Sequence, residues 1–482
     1  MDMSRCRIMM VSSEVSPWAR SGGLADVLGA LPSALAAQGY EVAVVVPRYM
    51  NAADSPTSLL IDELKVPFGA GHVPIGVWAG SKEIGSGSVT LYFIENNELY
   101  GSEGRGPGLY GNQQGDYPDN HIRFAVFSRA ALEISRRIFH ADVFHCHDWQ
   151  AGLLPVYLRE TLGGDPDFAG AKALLTIHNL GYQGLFPPAA LSEIGLPPHL
   201  FNPGQLEFWG RINFLKAGIV FSDAINTVSR RYAEEIQTEP FGFGLDGLLR
   251  YRSSILSGIL NGVDYSRWNP ATDPHIAANY SPENLAGKLE CKRALLKELG
   301  LPDSMMDRPL IGVVSRFAVQ KGFDLLGPIA EKIFARGAGL VVLGDGDAEL
   351  EQMFLGLARD FPNQAAVRLG FNDPLAHRIE AGADIFLMPS RYEPCGLNQI
   401  YSLKYGTVPV VRATGGLDDT IDESTGFKFH DYNGNALLDA VAWACDAWEN
   451  REEWAGRMVR GMRKDFSWEP SARAYSELYQ RL

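Results

Sequence analysis

Short apolar runs rich in valine and isoleucine alternate with longer segments of helical period along almost the whole chain. This alternation constrains the fold more than any other feature, because buried parallel strands are continuous apolar runs and are joined through crossover helices. The predicted strands form two series, residues 8–12, 42–46, 89–94, 143–145, 173–177 and 224–228, then residues 310–315, 340–343, 367–369, 385–389, 408–411 and 426–429. The sequence therefore predicts an α/β protein with two mainly parallel sheets.

A weakening of this pattern separates the two series. Glycines and arginines interrupt it over residues 241–257, and the apolar run at 255–260 is predicted to open the second series. We therefore predict domains over residues 1–252 and 253–467. The last segment, 468–482, has the apolar spacing of an amphipathic helix.

Charge and cysteine content narrow the function classes. The formal net charge of -14 argues against nucleic acid or an anionic membrane as the main partner. Five scattered cysteines indicate reduced thiols, and no targeting segment or membrane span is predicted, so we expect a cytoplasmic protein.

Two glycine loops repeat at a distance. The sequence R-S-G-G-L-A-D-V at 20–27 and the sequence T-G-G-L-D-D-T at 414–420 each follow an apolar run. Paired glycines between a strand and a helix let the backbone approach a ligand and present amides to an anion. Either loop alone could be an ordinary turn, but the repetition favours two similar halves that serve one ligand.

The second half also contains two motifs suited to a phosphorylated ligand. Arg316 and Lys321 share one strand-to-helix loop, where a guanidinium and an ammonium suit a diphosphate, although surface cations are the alternative. Glu393, in S-R-Y-E-P-C-G-L, precedes another helix and could bind sugar hydroxyls or only cap that helix.

Other candidate motifs are weaker. His145, His147 and Asp148 lack further ligands at metal-binding spacing, and G-D-G-D at 344–347 lacks the third glycine of a dinucleotide site. A glycine-rich insertion at 100–121 suits either sugar binding or a solvated loop. The aromatic pair Phe208 and Trp209 is predicted to pack in the core.

Taken together, several motifs resemble those of bacterial glycogen synthases and plant starch synthases. They are S-G-G-L-A-D, H-D-W, T-I-H-N-L-G-Y-Q-G, N-G-V-D, R-F-A-V-Q-K-G, P-S-R-Y-E-P-C-G-L-N-Q-I-Y and F-S-W. The resemblance implies a GT-B architecture, with two Rossmann-like domains facing across a deep cleft. The N-terminal domain would lie on the acceptor side, the C-terminal domain would bind the nucleotide sugar, and the last helix would pack back on the N-terminal domain.

The resemblance also implies an activity. It is retaining transfer of glucose from ADP-glucose to the non-reducing-end 4-hydroxyl of an α-1,4-glucan, without a metal or other cofactor. Arg316 and Lys321 would hold the diphosphate and Glu393 the transferred glucose, while His178 and Asp148 match the active-site histidine and the essential aspartate. Further residues implied in donor binding are Arg20, Gly22, Gly23, Asp26, Asn179, Cys395, Gly396, Leu397, Thr414, Gly415 and Gly416.

Two positions depart from the family pattern. Arg20 stands where the family usually has lysine, and Asn398 stands where many bacterial members have threonine. Arginine keeps the charge of lysine but not its shape or reach, so donor affinity or nucleotide preference could differ.

Alternative functions remain open at this stage. They are transfer from UDP-glucose or to a small acceptor, and a catalytically weak glucan-binding scaffold. The joint presence of Arg316, Lys321 and Glu393 argues against the scaffold. The incomplete glycine fingerprint argues against an NAD-dependent oxidoreductase. The sequence does not indicate an oligomeric state.

Overall fold

The structure is a computed structural model that describes residues 6–49, 52, 55–101, 108–112 and 114–482. The chain forms two compact units. The first comprises Met1–Val228, Ile236–Gly262 and Trp468–Leu482, and the second comprises Ser229–Glu235 and Val263–Ser467. The main division thus lies after Gly262, beyond the predicted boundary at 252. Within the described ranges, no helix has both the length and the apolar character needed to cross a bilayer.

A nine-stranded sheet forms the centre of the first unit. In order across the sheet the strands are Leu256–Gly258, Ala224–Thr227, Lys172–Ile177, Val143–His147, Arg7–Val11, Glu41–Pro47, Gly87–Glu95, Gly71–Ile84 and Ser58–Phe68. All pairings are parallel except those made by Gly71–Ile84, which pairs antiparallel with both its neighbours. The apolar pattern did not predict the strands Ser58–Phe68 and Gly71–Ile84, because many of their side chains are exposed, which leaves no continuous apolar run.

One strand lies in a different sheet from the one predicted. The run at 255–260 was expected to open the second series, but Leu256–Gly258 pairs in parallel with Ala224–Thr227. It therefore ends the first sheet, and the prediction was wrong. The sequence of the run does not indicate which strand it pairs with, because strand pairing depends on residues that are distant along the chain.

The order of strands creates a switch point in the first sheet. From Arg7–Val11 the chain continues to Glu41–Pro47 on one side, whereas Val143–His147 lies on the other side. Ligands of open parallel sheets bind at the carboxyl ends of strands where the order reverses in this way. The residues to inspect are therefore those that follow Val11 and His147.

Helices cover this sheet, and the last one is fixed by hydrogen bonds to buried residues. The main helices of the first unit are Gly23–Ala36, Asn120–Ile134, Phe214–Phe221, Asp246–Tyr251 and Trp468–Gln480. On the last helix, the Tyr475 hydroxyl accepts a hydrogen bond from Asn226 Nδ2 at 2.8 Å. The Tyr479 hydroxyl is 2.8 Å from His145 Nδ1. The final helix is thus anchored to strands at the centre of the unit.

The second unit is built on six parallel strands. In order they are Ala365–Leu369, Gly339–Gly344, Leu310–Val314, Ile385–Met388, Val408–Arg412 and Phe427–Phe429. Its main helices are Ala286–Leu299, Ala330–Ala335, Ala348–Asp360, Asp373–Gly382, Asn398–Lys404, Gly415–Thr420, Gly434–Glu449 and Arg451–Met462. Side chains such as Val313, Leu340, Phe354 and Trp448 form its main hydrophobic core. The strand order reverses between Leu310–Val314 and Ile385–Met388, which places a second switch point there.

The short helix Arg230–Glu235 joins this unit through two carboxylates. Asp419 accepts hydrogen bonds from the amides of Arg230 and Arg231, at 2.7 and 3.1 Å. In return, Glu235 accepts one from the amide of Gly415 at 3.0 Å. Each helix therefore supplies the acceptor that the free amides of the other need.

The anchoring of the last helix leads to a prediction. Tyr475→Phe removes the hydroxyl that pairs with the fully buried Asn226. We expect a loss of about 1–3 kcal/mol of stability, because a buried amide is left underpaired. Urea titration with hydrogen exchange of the helix Trp468–Gln480 measures it. Tyr251→Phe, on an exposed side chain, is the control, and equal effects of the two substitutions would contradict the prediction.

Candidate functional site

An ion pair occupies the switch point of the second sheet. Lys321 Nζ lies 2.7 Å from Glu393 Oε2, and Ser390 Oγ donates to the same oxygen at 3.0 Å. Glu393 is buried and Lys321 is half-buried. The sequence motifs that contain Arg316 and Glu393 follow the strands Leu310–Val314 and Ile385–Met388, so the structure brings both motifs to one edge of the sheet.

Close packing of the two loops fixes this pair. Gly322 has φ +72°, and a Cβ at this position would lie 2.0 Å from the carbonyl oxygen of Pro389. Only glycine therefore allows the approach. Asn398 Nδ2 donates to the carbonyl of Val314 at 2.6 Å, which ties the start of its helix to the end of the neighbouring strand. The asparagine that stands where many bacterial family members have threonine therefore links the two loops by a hydrogen bond.

Arg316 differs from Lys321 in its surroundings. Its side chain is exposed and has no hydrogen-bond or ion-pair partner among the residues that the structure describes. The same loop thus contains a guanidinium without a partner and a lysine that is held by a carboxylate. Together they make this edge of the sheet suitable for binding an anion with several oxygens.

The second glycine loop is already occupied by protein acceptors. Thr414 Oγ1 and the amide of Gly415 both donate to Glu235 Oε2 at 3.0 Å. The amide of Gly416 donates to the carbonyl of Glu393 at 3.1 Å. Donor binding by Thr414, Gly415 and Gly416 stays a prediction. It has to use atoms other than the Thr414 hydroxyl and the amides of Gly415 and Gly416, because those groups already donate to Glu235 and Glu393.

Three further predicted donor-binding residues lie directly after Glu393. Cys395 is buried, Gly396 has φ +70°, and Leu397 immediately precedes the helix Asn398–Lys404. They therefore share the edge of the sheet at which Lys321 lies.

The first glycine loop also encloses a carboxylate. Glu14 is buried and accepts hydrogen bonds from the amides of Ser21 and Gly22, at 2.7 and 3.2 Å, and from Ser21 Oγ at 2.5 Å. The hydroxyl of Tyr110, from the insertion, donates to Glu14 at 2.6 Å. Residues 102–107 and 113 of that insertion lie outside the described residues.

The remaining predicted residues of this loop lie at the start of the helix. Gly23 is the first residue of Gly23–Ala36, and Asp26 is in its first turn. Arg20 Nη2 lies 3.3 Å from Asp26 Oδ2. The arginine that replaces the family's usual lysine is thus close enough for an ion pair within its own loop.

Asp148 lies at the switch point of the first sheet in a strained conformation. Its φ is +55°, which a residue with a side chain rarely adopts. Its Oδ1 accepts hydrogen bonds from the amides of His178 and Asn179, at 2.6 and 3.4 Å. Burial raises the pKa of Asp148 to about 7, despite these hydrogen bonds, which lower it. The carboxyl therefore titrates near neutral pH.

A row of uncharged histidines lies beside Asp148. His178 Nε2 is 2.9 Å from His147 Nδ1, and the ring of His147 lies 4.2 Å from that of His145. Burial lowers the pKa of His178 and of His145 to about 3. At neutral pH these rings are therefore uncharged, and they act through hydrogen bonds.

The carboxylate of Glu14 and its contact with Tyr110 were not predicted, although both residues had a visible signal. Glu14 follows a predicted strand at the edge where ligands bind, and Tyr110 lies in the insertion at 100–121 that suits sugar binding or a solvated loop. Glu235 had no such signal, because its partner Gly415 lies far away along the chain.

Comparisons with known proteins show the family to which the chain belongs. Residues 7–251 match the family described as the starch synthase catalytic domain, and residues 302–457 match glycosyl transferases group 1. The chain is 48% identical to glycogen synthase of Koribacter versatilis over 98% of each chain, and 47% identical to that of Anaeromyxobacter dehalogenans strain 2CP-C over 99% of each. This chain belongs to the glycogen and starch synthase family. The predicted family and enzyme class, a glucan-elongating glycosyltransferase, are confirmed.

Solved structures support the fold of this family. The catalytic domain of starch synthase IV from Arabidopsis thaliana, bound to ADP and acarbose, has a TM-score of 0.87 and 32% identity over 99% of each chain. Sucrose-phosphate synthase from Thermosynechococcus elongatus, at 18% identity, has a TM-score of 0.60 over 99% of this chain and 98% of its own. The predicted two-domain α/β fold of GT-B glycosyltransferases is confirmed.

The low pKa of the buried His145 predicts that the stability of the protein depends on pH. The pKa of His145 is about 3, against an ordinary value of 6.5, so below pH 6.5 the unfolded chain binds a proton that the folded chain does not. Stability from this residue is therefore present above pH 6.5 and is lost as the pH falls. Relative to His145→Gln, wild type should lose up to about 1.4 kcal/mol per pH unit in urea titrations between pH 6.5 and about 5. Parallel pH profiles of the two proteins would contradict this.

Proposed function

We propose that this chain elongates an α-1,4-glucan by transferring glucose from ADP-glucose to the non-reducing-end 4-hydroxyl, with retention at the anomeric carbon. The second unit binds the nucleotide sugar, and the first unit supplies Asp148, His178 and the acceptor-binding surface. In the transfer, the bond from the anomeric carbon to the diphosphate breaks, the bond from that carbon to the acceptor oxygen forms, and the proton of the acceptor hydroxyl passes to an oxygen of the departing diphosphate.

The Arg316, Lys321 and Glu393 cluster is the observation that carries the proposal. As the glycosidic bond to the diphosphate breaks, negative charge develops on the departing phosphate oxygens. The guanidinium of Arg316 and the ammonium of Lys321 stabilise that charge where it forms, which is the most effective place for electrostatic catalysis. The 2.7 Å contact with Glu393 holds Lys321 in position before any donor binds.

The acidic groups have other roles. Glu393, which is buried next to Lys321, accepts hydrogen bonds from hydroxyls of the transferred glucose. Asp148 has a pKa of about 7 and is therefore only partly ionised near neutral pH. His178, neutral at that pH, serves as a hydrogen-bonding group. We assign no carboxylate as nucleophile.

An exposed aromatic ring provides a place for the nucleotide base. Phe371 is 79% exposed and follows the strand Ala365–Leu369, and the amide of Gly370 donates to the carbonyl of Gly344 at 3.1 Å. This strand is second from Leu310–Val314, hence about 10 Å away, which suits the distance from a diphosphate to its base. We assign Phe371 to stacking on adenine.

Relatives support the choice of donor. The Arabidopsis starch synthase IV domain was solved with ADP and acarbose, and the bacterial relatives are glycogen synthases. The direct test incubates the protein with ADP-glucose or UDP-glucose, with and without glycogen, and follows nucleotide release and chain length. ADP release with glucan growth is expected, whereas release without growth would defeat the proposal.

Substitutions in the cluster should affect catalysis strongly. Lys321→Ala and Glu393→Ala are each expected to lower kcat by about two to four powers of ten, as expected for lost transition-state stabilisation. Steady-state assays with ADP-glucose and glycogen measure the loss. Lys464→Ala, which breaks another ion pair of the same unit, with Asp422, is the matched control and should retain activity. Near-normal turnover in both site variants would remove them from the site.

The base site can be tested separately. Phe371→Ala should weaken ADP binding on the order of tenfold by calorimetry, because a stacking face is lost. Affinity for inorganic pyrophosphate, which has no base, should not change. Phe371→Tyr keeps the ring and should bind ADP as wild type does. Unaltered ADP affinity in Phe371→Ala would place the base elsewhere.

A further inference from the structure

A tryptophan predicted to lie in the core is instead among the most exposed residues of the chain. Trp209 is 84% exposed, so its predicted burial was wrong. It lies at the tip of a hairpin between the strands Glu207–Phe208 and Arg211–Asn213, at φ +52°, followed by Gly210 at φ +76°. A bulky residue rarely adopts this backbone, and such strain persists where the surrounding structure enforces it, often at binding sites.

A second exposed aromatic residue with the same backbone strain lies against this hairpin. Phe243 has φ +48° and is also exposed. The next residue, Gly244, packs so closely that an added Cβ would lie 2.9 Å from the ring of Phe208 and 3.5 Å from Nε1 of Trp209. Two strained aromatic residues from separate segments are therefore held together at one surface.

This surface is continuous with the loop that contains His178. Gln183 Nε2 donates to the carbonyl of Phe243 at 3.1 Å, and the side chain beside it, Tyr182, is 56% exposed. Gln183 also accepts a hydrogen bond from Asn213 at 2.6 Å, so it joins the loop after His178 to the hairpin. Gln183 therefore connects the loop that contains His178 to the segments of both strained aromatic residues.

We propose that Tyr182, Trp209 and Phe243 form a second glucan-binding surface, which holds the acceptor chain away from its reacting end. The inference rests on the proposed function for the identity of the glucan. Sugar rings present faces of C–H groups that pack on aromatic rings, while their hydroxyls need polar neighbours. Glu207 and Arg211, on either side of the hairpin tip, add a carboxylate and a guanidinium. Glu207 Oε1 accepts a hydrogen bond from the amide of Gly210 and Arg211 Nη2 donates to the carbonyl of Leu185, each at 2.7 Å, so sugar hydroxyls would pair with the other carboxylate oxygen and the other guanidinium N–H groups.

The chemistry of the surface favours a neutral polysaccharide over other occupants. A net charge of -14 disfavours an anionic polymer. Along the chain the exposed aromatic residues are flanked by polar ones, Gln183, Glu207 and Arg211, whereas the core of a protein interface is a continuous, well-packed apolar patch. We therefore assign the surface formed by Tyr182, Trp209 and Phe243 to an uncharged glucan.

The test compares Trp209→Ala with Tyr251→Ala, which truncates an aromatic side chain that is equally exposed, at 84%. Native gels containing glycogen measure glucan affinity, and steady-state assays give KM for glycogen and for maltotriose. We expect Trp209→Ala to migrate faster in the glycogen gel and to raise KM for glycogen on the order of tenfold. KM for maltotriose and ADP affinity should not change, and Trp209→Tyr should restore most of the glycogen affinity.

Each outcome separates this proposal from the proposed function. Wild-type retardation and KM in Trp209→Ala would overturn the surface while leaving glucan elongation intact. Unchanged glycogen binding with an altered sedimentation coefficient would also overturn it, since the surface would then join two copies of the chain. If wild type elongates no glucan with either donor, yet its retardation by glycogen requires Trp209, the surface stands and the proposed function fails.

Discussion

The ion pair between Lys321 and Glu393 connects the two loops that leave the central strands of the second sheet. Most contacts around it depend on the same approach of these loops. Gly322 lies against the carbonyl of Pro389, the amide of Gly416 donates to the backbone carbonyl of Glu393, and the side chain of Asn398 donates to the carbonyl of Val314. The lysine is therefore held in place before a donor arrives. Such preorganisation lowers the cost of stabilising charge on a departing diphosphate.

Both glycine loops bind a carboxylate of the protein through backbone amides, which changes the role expected for them. Each presents backbone amides at or just before the start of a helix to an anion, as the repeated motif suggests, but the anion is a carboxylate of the protein. Glu14 occupies the first loop and Glu235 the second. These buried carboxylates satisfy amides that would otherwise be unpaired, and they shape the loops rigidly. The proposed affinity for diphosphate therefore comes from Arg316 and Lys321, and the glycine loops contribute shape.

Features that depend on neighbouring residues could be predicted from the sequence, and features that depend on distant residues could not. Strands that are almost entirely buried, such as Glu41–Pro47, are continuous apolar runs and were predicted, although the run at 255–260 was assigned to the wrong series. The hairpin formed by Ser58–Phe68 and Gly71–Ile84 has exposed faces and no such run. Glu235 bonds to Gly415 across a long stretch of chain, which no local motif encodes. The exposure of Trp209 depends on a hairpin tip that composition does not reveal.

A crystal structure of the chain with ADP bound tests the roles proposed for Arg316 and Lys321. Oxygens of the β-phosphate are expected to lie within hydrogen-bond distance, about 3 Å, of the Arg316 guanidinium and of Lys321 Nζ. The amides of Ser21 and Gly415 should stay on Glu14 and Glu235. A phosphate bound by the amides of either glycine loop, with Arg316 and Lys321 out of reach, would show that these two cations do not bind the diphosphate.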